Sequence, residues 1–425
     1  MHIQKLKGFR DILPEESALW QQIEGAAVDV FRRYGYRELR MPLLEDTGLF
    51  RRSIGEQTDI VEKEMYTFLD GGGTSVTLRP EGTASAVRAF LENGLHRTDG
   101  KARLYYVGPM FRRERPQKGR LRQFHQLGAE CFGWPEAGAD ADLLCLLWDL
   151  FDTLGLSTRV ELQINTLGCR DDRAAYVERL RAYLEPCHDA LCENCRRRLD
   201  HNPLRVLDCK STHCQEASAD APTLLAGVCG DCADHFVRVR SLLDRQQVPY
   251  QVNPRMVRGL DYYNRTTFEL LSGDLGAQNA VAAGGRYDGL VETLGGPAVP
   301  ALGFAAGLER MVLMLAEGST AVAPTPLAFL VHRGEHALDA ALLLRRQLIR
   351  AGVEADMDYG ERSIKAQMRA ANRAGARYAL ILGEAEIAQS NVAVKNLDDG
   401  TQETVAQDAV VSLLAPTGSP ATEDR

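Results

Sequence analysis

R-R-E-R-P-Q-K-G-R-L-R-Q-F-H-Q-L-G-A-E, from Arg112 to Glu130, is the stretch on which the reading of this chain turns. Its first part, Arg112 to Arg122, sets six basic residues (Arg112, Arg113, Arg115, Lys118, Arg120 and Arg122) against one acid, Glu114, between two runs of strand-forming residues. Successive side chains of a strand alternate between its faces. On the incoming run Leu104 to Phe111, the parity of Arg112 is shared by Tyr106, Gly108, Met110 and, further on, Glu114. On the return run Gln123 to Gly133, Phe124, Gln126, Gly128 and Glu130 share one parity, while His125, Leu127, Ala129 and Cys131 share the other. One face therefore gathers a cation, an aromatic ring, an amide and a carboxylate over glycines small enough to admit a ligand. The other face reads as core, and His125 is expected to be a hydrogen-bonded core histidine rather than a catalytic one. Such a hairpin is suited to reading polyanions.

Working outward, the 425 residues are 45% apolar, enough for two or three domains with substantial cores. No stretch approaches the ~20 apolar residues of a membrane span. The N-terminal M-H-I-Q-K-L-K-G-F-R-D lacks the apolar centre of an export signal, so a cytoplasmic protein is expected. The net charge of -8 argues against indiscriminate coating of nucleic acid, and any RNA contact must come from local basic patches such as the hairpin tip.

Leu19, Trp20, Ile23, Ala27, Val30, Phe31 and Tyr34 recur at helical spacing and predict a helix from Glu15 to Tyr34, stopped by Gly35. Strand-like segments then dominate to Phe132, with a turn at Gly71 to Gly73 and a helix from Thr83 to Glu92. Composition shifts towards Arg, Asp and Cys between Gly168 and Gln251, then reverts from Val252 to an apolar helix at Leu308 to Leu315. The predicted organisation is a domain of residues 1–167 continued at 252–317, an insertion at 168–251, a linker at 318–326, a second domain at 327–414 and a disordered tail at 415–425. The second domain alternates strand and helix patterns, which predicts a small α/β unit. Its Arg362, Lys365, Arg369 and Arg373 fall on one helical stripe, a pattern shared by solvated faces and RNA-binding faces alike.

Seven of the ten cysteines lie from Cys187 to Cys232, six of them in C-E-N-C, D-C-K-S-T-H-C and C-G-D-C. Clustered C-x-x-C pairs of this kind predict a tetrahedral Zn²⁺ site rather than disulfides, with free thiols as the alternative. Cys192, Cys195, Cys229 and Cys232 are the expected ligands, with Cys209 and Cys214 as competitors, in a structural role far from the hairpin.

The hairpin resembles motif 2 of the class II aminoacyl-tRNA synthetases, and R-G-L-D-Y-Y, Arg258 to Tyr263, resembles the signature of the histidyl-tRNA synthetase family. K-G-F-R-D-I-L-P from Lys7 resembles that family's opening segment, and Y-G-Y-R-E-L-R-M-P-L-L-E from Tyr34 its motif 1. T-L-R-P-E-G-T from Thr77 resembles its histidine-pocket segment, A-G-G-R-Y-D-G-L from Ala283 its second signature, and G-F-A-A-G-L-E-R from Gly303 its motif 3. Singly these are weak signals; in order along one chain they are strong. The resemblance implies an α+β fold: a catalytic domain on an antiparallel sheet flanked by helices, a helical cysteine-rich insertion, and a C-terminal α/β anticodon-binding domain. It implies an ATP-dependent ligase that uses Mg²⁺, converts histidine to histidyl-adenylate with release of pyrophosphate, and transfers it to the 3′ end of tRNA(His). Motif 1 implies a homodimer.

Joining a carboxylate to a phosphate brings anions together, so fixed cations must be aimed at the reacting phosphorus. By resemblance Arg112 and Arg258 grip the α-phosphate from opposite sides, with Glu81 as the third catalytic residue; an ion pair with Asp261 is the structural alternative for Arg258. Arg112, Glu114, Phe124 and Arg310 would bind ATP, with adenine between Phe124 and Arg310. Glu130 and Tyr263 would hold the imidazole. Glu81, Thr83, Gln126, Arg112 and Arg258 would surround the rest of the amino acid, and Tyr262 and Tyr287 would complete the wall. Arg115, Gln117 and Arg120 would meet the tRNA acceptor end, Gln117 at the discriminator base. Two rivals share parts of this pattern: a class II synthetase for another amino acid, which would lack the two histidine signatures, and the regulatory subunit of ATP phosphoribosyltransferase, which lacks the C-terminal domain.

Overall fold

A computed structural model describes residues 3–56, 58–117, 119–258, 260, 262–276, 279–317 and 325–415. Lys118, Asp261, most of the predicted linker and all but the first residue of the predicted tail lie outside the described residues. By its internal contacts the chain divides into two compact units near residue 321.

The first unit begins with helix α1 (Pro14–Arg33), which follows directly from its sequence. Proline stands in its first turn beside Glu15 and Glu16, where a fixed φ and negative charge both favour a helix start. Leu19, Trp20, Ile23, Ala27, Val30 and Phe31 form its buried stripe. Gly35 ends it at φ 77°, so that Tyr36 N donates to Phe31 O at 2.9 Å and turns the chain into the sheet. Helices α2 (Thr47–Ile54), α3 (Thr83–Glu92) and α4 (Ala137–Thr153) follow. The region of α2 had read as strand; Asp46 caps it by accepting Gly48 N at 2.7 Å, and its Phe50 and Ile54 are buried.

The strands of this unit are β1 (Arg37–Glu38), β2 (Leu44–Asp46), β3 (Tyr66–Leu69), β4 (Ser75–Leu78), β5 (Ala102–Phe111), β6 (Gln123–Phe132), β7 (Glu161–Thr166), β8 (Gln251–Val252), β9 (Asn264–Leu271), β10 (Ala280–Arg286) and β11 (Ala301–Gly307). Eight of them form one sheet in the order β1-β5-β6-β11-β10-β9-β7-β8, antiparallel except for the outer pairs β1/β5 and β7/β8. The others form a small sheet, β2-β4-β3.

In the β5/β6 pair Tyr106 opposes Gly128, Gly108 opposes Gln126, and Met110 opposes Phe124, so the two predicted faces coincide across the hairpin. Leu127, Ala129 and Cys131 turn into the main core against Leu19, Trp20, Ile23, Phe31 and the leucines of α4. His125 joins that side: its ring stands edge-on to Trp20 at 4.9 Å, and its Nδ1 lies 3.0 Å from Glu309, the partner expected of a core histidine.

Residues 170–245 carry α5 (Arg170–Leu184), α6 (Glu193–His201), α7 (Thr212–Ala217) and α8 (Gly230–Arg245). Tyr176, Leu180, Leu184, Leu199, Leu204, Val206 and their neighbours make a separate small core. Helix α8 differs: Phe236, Val239 and Leu243 pack in the main core beneath the sheet. Short α9 (Leu290–Thr293) and α10 (Leu308–Ala316) complete the unit.

The second unit has a five-stranded sheet in the order β13-β12-β14-β15-β16, formed by β12 (Ala328–His332), β13 (Ala355–Met357), β14 (Tyr378–Leu382), β15 (Asn391–Asn396) and β16 (Gln402–Ala406). Its helices are α11 (Ala337–Arg350), α12 (Ile364–Arg373), α13 (Glu384–Ala388) and α14 (Gln407–Leu414). Ser363 caps α12, so Arg362 falls ahead of the helix and pairs with Asp358 at 3.1 Å. Lys365, Arg369 and Arg373 remain exposed on α12 itself.

Candidate active site

The ligand-facing side of the large sheet is floored by small residues. Gly303 pairs with Glu130, Ala305 with Gly128, and Gly307 with Gln126 across β11/β6, and Ala283 and Gly285 continue the row on β10. A Cβ at Gly82 or Gly128 would strike the Tyr106 ring, and one at Gly303 would strike Glu130, so bare backbone is what gives these polar side chains room. Above the floor lies a cleft of about 420 Å³ lined by Glu81, Thr83, Arg112, Glu114, Arg120, Phe124, Gln126, Arg258, Tyr262, Tyr263, Glu269 and Arg310, among others.

At one end Glu130 is fully buried and receives hydrogen bonds from Thr83 Oγ1 at 2.8 Å, Tyr106 OH at 3.2 Å, and Tyr287 OH. Burial is the dominant influence and pushes its carboxyl up to about 8, although the three hydroxyls pull the other way. Tyr262, Tyr263 and Tyr287 stand around it, with ring centres 4.6, 5.7 and 6.5 Å apart pairwise. Glu81, also buried, accepts Thr83 N at 2.7 Å and Ala84 N at 2.9 Å at the start of α3. Burial raises its pKa, and those two amides restrain the rise. Gln126 Oε1 is buried and has no hydrogen-bond partner among the described residues.

The middle of the cleft holds the guanidinium groups. Arg112, just past the end of β5, is fixed by Nε donating to Pro80 O at 2.8 Å and lies 5.3 Å from the centre of the Phe124 ring. Arg258 donates to Glu269 Oε1 and sits 5.2 Å over the Tyr263 ring, while its buried Nε has no partner among the described residues. Arg310 on α10 donates to the carbonyl of Ala280. Burial, then repulsion from Arg120 and Arg112, lowers the pKa of Arg310. Cations held this close favour an anionic guest.

Three predicted acceptor-end residues separate. Arg115 and Gln117 are exposed, whereas Arg120 turns inward, lines the cleft and pairs with the buried carboxylate of Glu114. The tight turn between Gln117 and Arg120, closed by backbone bonds of 2.9 and 3.0 Å in both directions, directs their side chains differently. Asp261, the alternative partner of Arg258, lies outside the described residues; the partner observed is Glu269.

Sequence reasoning missed Glu269, Asp59 and Arg205. Glu269 shares the ligand-facing parity with Thr267 on β9, so strand alternation was the available signal. Arg205 comes from the insertion, where its NH2 meets Asp59 Oδ2 at 3.1 Å at the cleft mouth. Nothing local in P-L-R-V announces that contact. Arg286, inside the predicted second histidine signature, lies away from the cleft: fully buried, it pairs with Asp140 of α4 and donates to Trp134 O at 2.9 Å.

The structure corrects the expected zinc ligand set. Cys192 and Cys195 gather with Cys209 and Cys214, whereas Cys229 and Cys232 gather with Cys169 and Asp172; within each group all ligand atoms lie within 4.8 Å of one another. The physical reason is chain reversal: α7 brings Cys214 back onto the start of α6, where Cys192 N donates to Cys214 Sγ at 3.2 Å, while Cys229 and Cys232 open α8 on the catalytic body.

Among the described residues no helix is long and apolar enough to cross a membrane. A histidyl-tRNA synthetase family model matches residues 8–311, and an anticodon binding domain model matches residues 325–416. The histidine–tRNA ligase of Geobacter metallireducens is 54% identical over 403 residues, covering 95% of this chain and 97% of its own. That of Syntrophotalea carbinolica is 51% identical over 414 residues, covering 97% and 98%. The crystal structure of the apo histidyl-tRNA synthetase of S. aureus superposes with a TM-score of 0.83 at 35% identity, covering 98% of this chain and 100% of that one. With two arginines far apart in sequence lining one cleft that holds a carboxylate ringed by tyrosines at its end, and with likeness running the length of both units, the chain belongs to the histidyl-tRNA synthetase family.

Proposed function

We propose that this cleft carries out both half-reactions of histidine–tRNA ligation, activating histidine with ATP and passing it to the 3′ end of tRNA(His). The observation that carries the reading is a pair of buried atoms on one cleft that have no partner among the described residues: an acceptor, Gln126 Oε1, and a donor, Arg258 Nε. A buried polar atom left unpaired costs about 1–3 kcal/mol, which a complementary ligand recovers. An amino acid is complementary, its ammonium to Gln126, Glu81 and Thr83, and its carboxylate to Arg258 and Arg112. Glu130 and Tyr263 then face the imidazole, with Tyr262 and Tyr287 as walls.

In the first step a histidine carboxylate oxygen bonds to the α-phosphorus as the bond to the β-phosphate oxygen breaks. Arg112 and Arg258 neutralise charge building at that phosphorus, and Phe124 and Arg310 hold the adenine. Glu114 and Glu269, which line the cleft with hard oxygen donors, would hold the Mg²⁺ of ATP, and that ion would supply positive charge toward the departing pyrophosphate. In the second step a terminal ribose hydroxyl attacks the carbonyl, an adenylate phosphate oxygen takes its proton beside Glu81, and AMP leaves. Pyrophosphate exchange with each of the twenty amino acids tests the reading. Exchange with histidine alone is expected; exchange with a different amino acid, or with none, would replace it by one of the two rivals.

The exposed Arg115 and Gln117 are assigned to the acceptor end of tRNA(His). Replacing both with alanine is expected to lower kcat/KM for tRNA by ~10- to 100-fold while exchange with histidine stays near normal, because acceptor contacts play no part in adenylation. Equal losses in both assays would refute the assignment. A homodimer working in the cytoplasm, as the family resemblance implies, completes the proposal, and sedimentation equilibrium tests the dimer.

The Cys192, Cys195, Cys209 and Cys214 quartet is assigned a structural Zn²⁺. Its Cys192 and Cys209 sulfurs are 3.9 Å apart. Ligands at ~2.3 Å from a tetrahedral zinc are ~3.8 Å from one another, so the spacing suits the ion. Cys209→Ser is expected to release this zinc and lower the melting temperature, and undiminished zinc content in that variant would remove the assignment.

A further inference from the structure

Three of the thiols that this quartet leaves over are assembled as deliberately as the quartet itself. Cys169, Asp172, Cys229 and Cys232 bring three sulfurs and a carboxylate oxygen within 4.8 Å of one another, and all three cysteines are free. Two matching helix starts build the cluster. Cys169 is the N-cap of α5 and Asp172 its third residue; Cys229 is the N-cap of α8 and Cys232 its third residue. Side chains at those two positions reach back over the first turn, so each C-x-x-C or C-x-x-D presents two donors side by side. The positive end of α5 favours a carboxylate at Asp172. Asp172 joins the two starts, since its Oδ2 accepts Cys169 N at 3.1 Å and its Oδ1 accepts Cys229 N at 2.8 Å. Cys192 and Cys195 occupy the same two positions at the start of α6, so this chain uses one device three times.

We propose that Cys169, Asp172, Cys229 and Cys232 bind a second Zn²⁺, distinct from the four-cysteine site, that fastens the outgoing and returning ends of the insertion to each other. Three thiols and one carboxylate around a tetrahedral volume suit zinc, and binding releases the three thiol protons. The location gives the ion its purpose. Cys169 follows shortly after β7, and α8 is anchored in the main core by Phe236, Val239 and Leu243, so everything between them is an excursion closed at this point. The same corner is tied to the histidine side of the cleft: Leu167 N donates to Arg265 O and Arg265 N to Gly168 O, both at 2.7 Å, two residues beyond Tyr263. Closing an excursion of that length at its base limits the ways it can move without help from its own small core.

Zinc content of the full-length protein, purified under reducing conditions and measured by elemental analysis, tests the assignment. Two zinc ions per chain are expected, one remaining in Cys209→Ser and one in Cys232→Ser. Co²⁺ loaded into Cys209→Ser should show the visible absorption of a tetrahedral thiolate site, absent when Cys232→Ser is added. A single zinc per wild-type chain, lost with Cys209→Ser and kept with Cys232→Ser, would overturn the proposal, as would a Cys229–Cys232 disulfide in peptide mass spectra of the unmodified native protein. Pyrophosphate exchange is scored separately, so failure here leaves the catalytic reading standing, and the reverse holds too.

Discussion

Arg258→Ala is expected to slow histidine-dependent pyrophosphate exchange by three or more orders of magnitude while histidine binding stays measurable. A single preorganised donor aimed at developing charge is worth ~10²–10³ in rate, and an arginine aimed at a transferring phosphoryl group ~10³–10⁵. Arg258 belongs with the stronger cases because its side chain is only 13% exposed, stacked over Tyr263 and steered by Glu269, so little reorganisation is needed when charge appears. Its Nε, which has no partner among the described residues, is the donor most available to an incoming oxygen. Removing it also leaves Glu269 unpaired beside the phosphates, which adds repulsion to lost attraction. Arg258→Lys should recover part of the rate, since charge returns without the planar fork. Histidine binding survives because Glu130, Tyr263, Gln126 and Glu81 are untouched. Exchange within tenfold of wild type in Arg258→Ala would show that the side chain is a salt-bridge partner and nothing more.

What could be seen in the sequence was what obeys local rules. Strand alternation sorted Tyr106, Gly108, Gln126, Gly128 and Glu130 from Leu127, Ala129 and Cys131, and because β5 and β6 pair without a bulge the sorting survived intact in the fold. Helix α1 was likewise legible, since a proline start, one apolar stripe and a terminating glycine leave few alternatives. Long-range closure was not legible. C-x-x-C pairs look alike at every position, so Cys192 and Cys195 seemed to belong with Cys229 and Cys232, whereas the turn into α7 delivers Cys209 and Cys214 instead. Cys169 and Asp172 escaped notice because half of their pair is a carboxylate. Arg286, to which the sequence assigned no role, sits in a ligand-like motif, yet its buried pairing with Asp140 ties β10 to α4. Arg205 reaches the cleft only because the insertion folds back to Asp59, a contact with no trace in either segment's own pattern.

Glu130→Gln is expected to raise the KM for histidine by about two orders of magnitude or more and to leave that for ATP nearly unchanged, since a pocket built around specific polar partners rejects what fails to satisfy them by ~10⁴ or more. Proton balance sharpens the test. Burial holds the Glu130 carboxyl up at about 8, so at neutral pH it carries a proton. An unfolded chain would have lost that proton near pH ~4.3. Between those values the folded state binds more protons, so this residue's contribution to stability falls as pH rises from about 4.5 to about 8. Glutamine cannot ionise, and the melting temperature of Glu130→Gln relative to wild type should climb across the same window. Histidine binding shares the proton: free imidazole loses its own near pH ~6.5. Between that pH and the carboxyl's value of about 8, one proton lies between the two groups, a donor facing an acceptor. More acid conditions supply two protons, whereas above about 8 the N–H that a neutral imidazole keeps turns to the ionised carboxylate, so kcat/KM for histidine should fall on the acid side and change slope near 8 in wild type, a change that glutamine removes. A change of slope near 8 that is identical in both proteins would mean that Glu130 does not hold the imidazole.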